Sequence, residues 1–156
     1  MTIHVWSLIG GVNTRKGSTI HALTGMSRER NTPFEICLVN GQYLRMNPKV
    51  MPINEGPNTL PAIDWAEEVI ANSHQLRTNM LISLREDDNF PDERKPHAYI
   101  GTLIARGAHI ESIITLGDQT PEWVKDIGAP YGHILGSASM PANEIAQRVR
   151  NFWGWA

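Results

Sequence analysis

The sequence predicts a mixed α/β fold, a three-layer sandwich in which helices cover both faces of a mostly parallel β-sheet. Three observations lead to this expectation: short apolar runs rich in β-branched residues, helical patterns that separate these runs, and glycine or proline at the junctions. Strands that alternate with helices favour parallel pairing and burial of both faces of the sheet. The chain of 156 residues shows no internal repeat or low-complexity tract, so we expect one domain, residues 1–156.

The first predicted element is a buried strand over Thr2–Ile9, with the sequence TIHVWSLI. Gly10 and Gly11 end this strand. A short helix is predicted over Ser18–Leu23, and Gly25 suits the left-handed exit from that helix. The chain therefore begins with a strand that runs through a glycine-rich loop into a helix.

A β-hairpin is predicted next. Its strands are Phe34–Val39 and Gln42–Met46, because Asn40-Gly41 between them is a strong turn signal. Four prolines then mark an irregular connection, which we expect to be an ordered loop over one end of the domain: Pro48, Pro52, Pro57 and Pro61.

The remainder of the chain alternates helices with strands. Helices are predicted over Asp64–Gln75, over His97–Ala108, from Pro121 to Gly128 with Thr120 as the cap, and over Ser139–Trp153. Strands are predicted over Met80–Leu84, Ile110–Leu116 and Tyr131–Leu135.

Composition and charge exclude some classes of function. A net charge of −2, with 41% apolar and 19% charged residues, is ordinary for a globular protein, so no binding of duplex nucleic acid through overall charge is expected. Basic residues nevertheless collect in the first 50 residues: Arg15, Lys16, Arg28, Arg30, Arg45 and Lys49. This local excess of positive charge can meet an anionic ligand.

The single cysteine, Cys37, cannot form an internal disulfide, so a reducing compartment is expected. Its apolar neighbours predict a buried, structural thiol. No apolar run reaches the length of a membrane span, and the N-terminus resembles a strand and not a signal peptide. We therefore expect a cytoplasmic protein with no membrane partner.

The loop after the first strand is the strongest candidate for a binding site. Ligands of open α/β sheets lie beyond the carboxyl ends of the strands. Glycines let backbone N–H groups approach an oxyanion, and the N-terminus of the following helix adds partial positive charge. The candidate phosphate-binding residues are Gly10, Gly11, Asn13, Thr14, Arg15, Lys16, Gly17, Ser18 and Thr19. The alternative is a tight turn that carries solvated basic side chains.

This loop resembles that of the P-loop NTPase superfamily, which reads G-x-x-x-x-G-K-[ST] between a strand and a helix. Counted from Gly10, Lys16 takes the lysine position, but Arg15 replaces the second glycine and a glycine replaces the hydroxyl residue. Counted from Gly11, Ser18 takes the hydroxyl position, but lysine and glycine are transposed. The resemblance covers the N-terminal part of the chain and implies a P-loop-like or Rossmann-like fold that binds phosphate. The Arg15 side chain is expected to crowd the place where the backbone wraps a β-phosphate.

Two strand ends offer partners for the loop. A P-loop hydrolase needs an acidic residue near a neighbouring strand end to hold Mg²⁺, and Asp118 is the neater candidate, with Glu86 or Asp87 as alternatives. Capping of the following helix explains Asp118 equally well, and a solvated loop explains the acidic run. Arg85 can bind a phosphate or carboxylate bidentately, and an ion pair with its acidic neighbours is the alternative.

The six histidines form neither an H-x-x-x-H nor an H-E-x-x-H pair, so no histidine or cysteine metal site is expected. Trp153 and Trp155 stand at the C-terminal end of the sequence. They either fold back onto the domain or form a homo-oligomer contact, because aromatic residues are favoured at interface centres.

These observations favour a module that binds a nucleotide or a related phosphorylated small molecule. Mg²⁺ bound with a nucleotide is the cofactor considered, and no catalytic residue is assigned. Two alternatives stay open: a small Mg²⁺-dependent NTPase or nucleotide kinase-like enzyme, and a non-catalytic protein that acts through homo-oligomeric assembly.

Overall fold

A sheet of six strands runs through the described part of the chain, which comprises residues 2–25, 32–55, 62–73 and 76–156 of a computed structural model. The strands are β1 (Thr2–Gly10), β2 (Phe34–Cys37), β3 (Tyr43–Pro48), β4 (Arg77–Arg85), β5 (His109–Gly117) and β6 (Tyr131–Leu135). Their order across the sheet is β2-β3-β4-β1-β5-β6. β2 pairs antiparallel with β3, and the other neighbouring pairs are parallel.

Helices pack on both faces of this sheet. They are α1 (Lys16–Thr24), α2 (Ala62–Ser73), α3 (Pro96–Ala105), α4 (Glu122–Asp126) and α5 (Ala142–Trp153). Buried side chains of α1 and α5 belong to one apolar cluster, and those of α2, α3 and α4 belong to another. The predicted three-layer α/β fold with a mostly parallel sheet is therefore confirmed.

β1 occupies an interior position of the sheet, between β4 and β5. Val5 and Ile9 join the cluster of α2, α3 and α4, whereas Trp6 and Leu8 join the cluster of α1 and α5. Because successive side chains point to opposite faces of a strand, a strand covered on both faces needs a nearly continuous apolar run. The interior position of β1 places the loop that follows it between two other strand ends.

The predicted hairpin is present, but β3 is longer than predicted. In the turn, Gly41 has φ 85° and its N–H donates to the Leu38 carbonyl at 2.9 Å. β3 continues to Pro48, which pairs with β4 at the end of the ladder and so belongs to the sheet, not to the irregular connection. A proline is tolerated there because the ladder ends at that residue. Pro57 and Pro61 lie outside the described residues.

Helix boundaries also differ from the predicted ones. α4 begins at Glu122 because Pro121 holds an extended backbone with ψ 138°, so the prediction of Thr120 as the cap is wrong. α3 ends at Ala105, earlier than predicted. The predicted end of α2, at Gln75, lies outside the described residues.

α5 begins later than the sequence predicts. The helix begins at Ala142, after Pro141, whose backbone is extended with ψ 143°. The predicted first residue, Ser139, belongs to a separate 3₁₀ turn over Ser137–Ser139. This turn interrupts the helical path between β6 and α5.

The C-terminal tail packs against its own domain. Trp155 is 4% exposed and forms a β-bridge with Leu38, and its ring centroid lies 6.5 Å from that of Trp6. Trp153 stacks at a tilt against Trp155, with 4.8 Å between ring centroids. Phe152 stays 47% exposed. Folding back is thus the arrangement present, while homo-oligomeric assembly stays a prediction.

Cys37 is only half-buried, not fully buried as predicted, because β2 is an edge strand. Its thiol donates to the Leu38 carbonyl at 3.4 Å. None of the helices in the described ranges has the length and apolar character that crossing a bilayer requires.

Candidate functional site

Three strand ends meet around the loop that follows β1. In the parallel register, Gly10 lies beside Arg85 at the end of β4 and beside Leu116 near the end of β5. The Glu86 N–H donates to the Gly10 carbonyl at 2.9 Å and extends this pairing past the strand end. The glycine-rich loop, Arg85 and Asp118 therefore share one edge of the sheet.

The backbone of the loop adopts unusual dihedral angles at two residues. Asn13 and Arg15 have φ values of 62° and 70°, in the left-handed region that non-glycine residues seldom adopt. The Thr14 hydroxyl donates to the Gly11 carbonyl at 2.8 Å across the loop. A Cβ atom at Gly10 would lie 2.4 Å from the Thr14 hydroxyl oxygen, so only glycine fits at this position. Such strain persists where the surrounding structure enforces one conformation.

The Arg15 side chain contacts the turn after β6. Its Nε atom donates to the carbonyl of Ala138, at 3.2 Å, in the turn after β6. The backbone of Arg15 precedes α1 in the conformation that a glycine adopts readily. The crowding of a phosphate by this side chain stays a prediction.

Lys16, the first residue of α1, is the most unusual charged residue of the loop. Its side chain is buried, with 7% of the residue exposed, and Nζ donates to the Gly11 carbonyl at 2.7 Å. Burial lowers the pKa of Lys16 from 10.5 to about 8, the nearby Glu55 carboxylate opposes this shift, and the Arg85 guanidinium adds to it. Among the described residues no carboxylate lies within ion-pair distance of this ammonium, and Glu55 pairs with Arg85.

Lys16 faces a cavity of about 540 Å³, which we call the first cavity. Its charged lining comprises Arg15, Lys16, Arg85 and Glu55, and the start of α1 contributes Gly17 and Ser18. An apolar wall stands in the same cavity and consists of Val12, Val50, Met51 and Pro52, with Asn13 and Ala138 completing the lining. The first cavity is thus lined by cationic side chains on one part of its surface and by apolar side chains on another.

Arg85 reaches the first cavity, but it is already paired. Its guanidinium lies 3.0 Å from Asp87 and 3.5 Å from Glu55, and it sits 5.4 Å from the centre of the Phe90 ring. The ion pair that the sequence offered as an alternative for Arg85 is thus formed in this structure.

A second cavity, of about 360 Å³, lies on the other side of the loop. Gly10, Gly11, Thr14 and Asp118 line it, together with Glu86 and Asp88. Asn13 lines both cavities. The predicted site is therefore divided by the loop: Lys16, Arg15, Gly17, Ser18 and Arg85 lie on one side, and Asp118 lies on the other.

Two of the predicted residues have other surroundings than expected. Thr19 is fully buried in α1, lines neither of these cavities, and its hydroxyl has no hydrogen-bond partner among the described residues. Asp118 is exposed, and no side chain caps α4, so the capping alternative for Asp118 is wrong.

Glu86 is the acidic residue most altered by its environment. Burial raises the pKa of this carboxyl and the Asp88 charge adds to the rise, whereas the Lys95 charge and then a hydrogen bond with the Trp123 side chain oppose it. Its Oε2 atom is buried without a hydrogen-bond partner in the described residues. Within those residues, no three acidic, histidine or cysteine side chains converge as a metal-binding group.

Sequence reasoning missed the segment from Val50 to Glu55, which forms one wall of the first cavity. The prolines predict an ordered loop over one end of the domain without indicating which residues line the cavity. Asn54 is the residue that holds this segment: it is fully buried, and its side chain bonds to the backbone of Arg85. An asparagine within a proline-rich stretch gives no sequence signal for that role.

Comparison with known proteins bears on the fold. No protein-family profile matches the chain, and no curated protein matches it in sequence. Among solved structures, the chain is similar to the FeoB G-domain from Methanococcus jannaschii, with 16% identity, a TM-score of 0.50, and coverage of 98% of this chain and 99% of that one. This likeness supports a P-loop NTPase-like α/β fold.

Proposed function

We propose that this protein binds a nucleotide or a related phosphorylated small molecule in the first cavity, with Lys16 as the anchor of a phosphate group. The observation that carries the proposal is the buried Lys16 ammonium, whose hydrogen bond among the described residues goes to a neutral carbonyl. A buried charge is costly unless a group of opposite charge compensates it. A phosphate oxyanion is the ligand group that supplies this compensation.

The surroundings of Lys16 support an anionic ligand. Gly17 and Ser18 belong to the first turn of α1, where backbone N–H groups have no partner within the helix. These N–H groups and the helix dipole favour an anion at this end. Arg15 and Arg85 add further positive charge to the same cavity.

The apolar wall supports a ligand that carries an organic group beside its phosphate. Val12 is 57% exposed and Met51 is 44% exposed, and both line the first cavity. Exposed apolar side chains lose contact with water when a ring or chain packs on them. A volume of about 540 Å³ falls within the range of small-molecule sites. A nucleotide has both parts, a phosphate group and an apolar ring face.

The Mg²⁺-dependent enzyme is the second candidate, and Glu86 is the observation in its favour. A carboxyl with a raised pKa beside the glycine loop has the character of a general acid or base. Glu86 lines the second cavity, however, whereas Lys16 lines the first, so turnover would require the loop to bring the two together. Mg²⁺-dependent hydrolysis that is lost on replacement of either residue would establish this candidate.

Calorimetric titration with mono-, di-, tri- and cyclic nucleotides tests the proposed function. We expect the native chain to bind at least one of them, and Lys16→Met to weaken that binding by about 100-fold, because it removes a buried charge-assisted contact. Lys125→Met on α4 is the matched control, since it removes an equal charge from a partly exposed lysine outside the first cavity.

Heat changes absent across the whole panel would count against the proposal. Binding that Lys16→Met leaves unchanged would mean that the ligand site lies elsewhere.

A further inference from the structure

The first cavity already contains an anion of the protein itself. Glu55 lines it, and its carboxylate lies 3.5 Å from a terminal nitrogen of Arg85. The same carboxylate acts electrostatically on Lys16, where it raises the pKa against the effect of burial. Glu55 therefore faces the two cations that a phosphate group would meet.

The position of Glu55 is held by the residue before it. The Asn54 amide nitrogen donates to the carbonyls of Arg85 and Arg94, each at 2.8 Å, and its Oδ1 atom accepts the Arg85 N–H at 2.8 Å. Ile53 adds a bond from its N–H to the Ser83 carbonyl at 3.1 Å. These bonds fix the backbone of this segment against the end of β4, and they thereby hold Glu55 at the first cavity.

We propose that Glu55 is an internal competitor of the ligand, an inference that rests on the proposed function. The Glu55 carboxylate occupies the Arg85 end of the first cavity, and a phosphate group binds there by displacing this carboxylate. Like charges repel in a partly desolvated cavity, so Glu55 and an oxyanion do not occupy the same end together. Glu55 thereby selects ligands with enough negative charge to replace it.

Displacement of the Glu55 carboxylate by a phosphate group requires little rearrangement of the protein. The Glu55 side chain is 37% exposed, so it can turn into water while the Asn54 bonds keep the backbone in place. Asp87, which does not line the first cavity, lies 3.0 Å from Arg85 and keeps a carboxylate on this guanidinium. A ligand phosphate would then replace one of two partners of Arg85.

Binding of inorganic pyrophosphate to Glu55→Gln tests this inference. We expect the affinity of Glu55→Gln to exceed that of the native chain by about three- to tenfold, because the variant keeps the shape of the side chain and removes its charge. Glu35→Gln is the matched control: Glu35 is exposed on β2, outside the first cavity, and its replacement changes the net charge equally. The titrations are run with a metal chelator and again with Mg²⁺.

The outcomes separate the inference from the function on which it rests. Pyrophosphate binding that is equal in the native chain and Glu55→Gln, or weaker in Glu55→Gln under either condition, overturns the competitor role and leaves the proposed function standing. Silence of every variant toward both pyrophosphate and nucleotides overturns the two together.

A readout without ligand checks the same contact. The pH dependence of Lys16 acylation, followed by peptide mass mapping, reports the pKa of this amine. We expect Glu55→Gln to shift that dependence to lower pH and Glu35→Gln to leave it unchanged. An unchanged profile in Glu55→Gln would contradict a Glu55 carboxylate that acts on Lys16.

Discussion

At the scale of single residues, the pKa of Lys16 links the site to pH. In the folded chain this pKa is about 8, below its ordinary value of 10.5, because burial disfavours the charged form. Below pH 8 the folded chain keeps the buried ammonium and its full desolvation cost. Between pH 8 and 10.5 the unfolded chain binds more protons than the folded one, so the free energy of unfolding rises with pH in that window.

The same group predicts proton uptake on ligand binding. An oxyanion beside Nζ raises the pKa of Lys16, and at its pKa half of this amine is uncharged in the free protein. We therefore expect nucleotide binding at pH 8 to take up a fraction of a proton, up to about half. Calorimetry in two buffers of different ionisation enthalpy measures this number. Equal heats in both buffers at pH 8 would contradict this proton uptake.

The roles of Lys16 and Glu55 differ in how far the sequence predicts them. Lys16 follows from a local pattern, since a strand, a glycine-rich loop and a helix are adjacent in the chain. Glu55 is placed by the bonds of Asn54 to Arg85, 31 residues further along the chain. Neither residue type nor spacing encodes such a distant contact, so the acidic member of the first cavity is visible only in three dimensions.

At the scale of elements, the C-terminal segment completes one of the apolar clusters. Trp155 belongs to the cluster of α1 and α5 and forms a β-bridge with Leu38. We expect Trp155→Ala to lower the free energy of unfolding by about 3–5 kcal/mol, the usual loss for a buried large aromatic residue. Urea unfolding followed by far-ultraviolet circular dichroism measures the change, because this signal comes mainly from the backbone and not from the tryptophan side chains.

Phe152→Ala provides the comparison for this element. Phe152 is 47% exposed, so its truncation removes less buried area and costs less than that of Trp155. If both variants were destabilised equally, the burial of Trp155 against its own domain would not be the source of its contribution.

Elements of the sheet were predictable where their pattern is local. The nearly continuous apolar run of β1 and the Asn40-Gly41 turn are examples, and both are present. The first residues of α4 and α5 were not, because proline is compatible with the cap as well as with the first helical turn. Pro121 and Pro141 take the cap position with extended backbones.

At the scale of the whole molecule, the sheet order determines which charges meet. β1 lies between β4 and β5, although both partners are distant in sequence, and this brings Arg85 and Asp118 to opposite sides of one loop. The alternation of elements predicts three layers but not this order, since pairing of distant strands depends on the packing of the whole domain. A net charge of −2 therefore coexists with a local group of cations in the first cavity.

A crystal structure of the chain with a bound nucleotide would decide whether a phosphate group binds at Lys16. We expect a phosphate oxygen within hydrogen-bond distance of Lys16 Nζ in the first cavity, with the Glu55 carboxylate turned away from Arg85. A nucleotide whose phosphates lie in the second cavity, while Lys16 still donates to the Gly11 carbonyl alone, would contradict it.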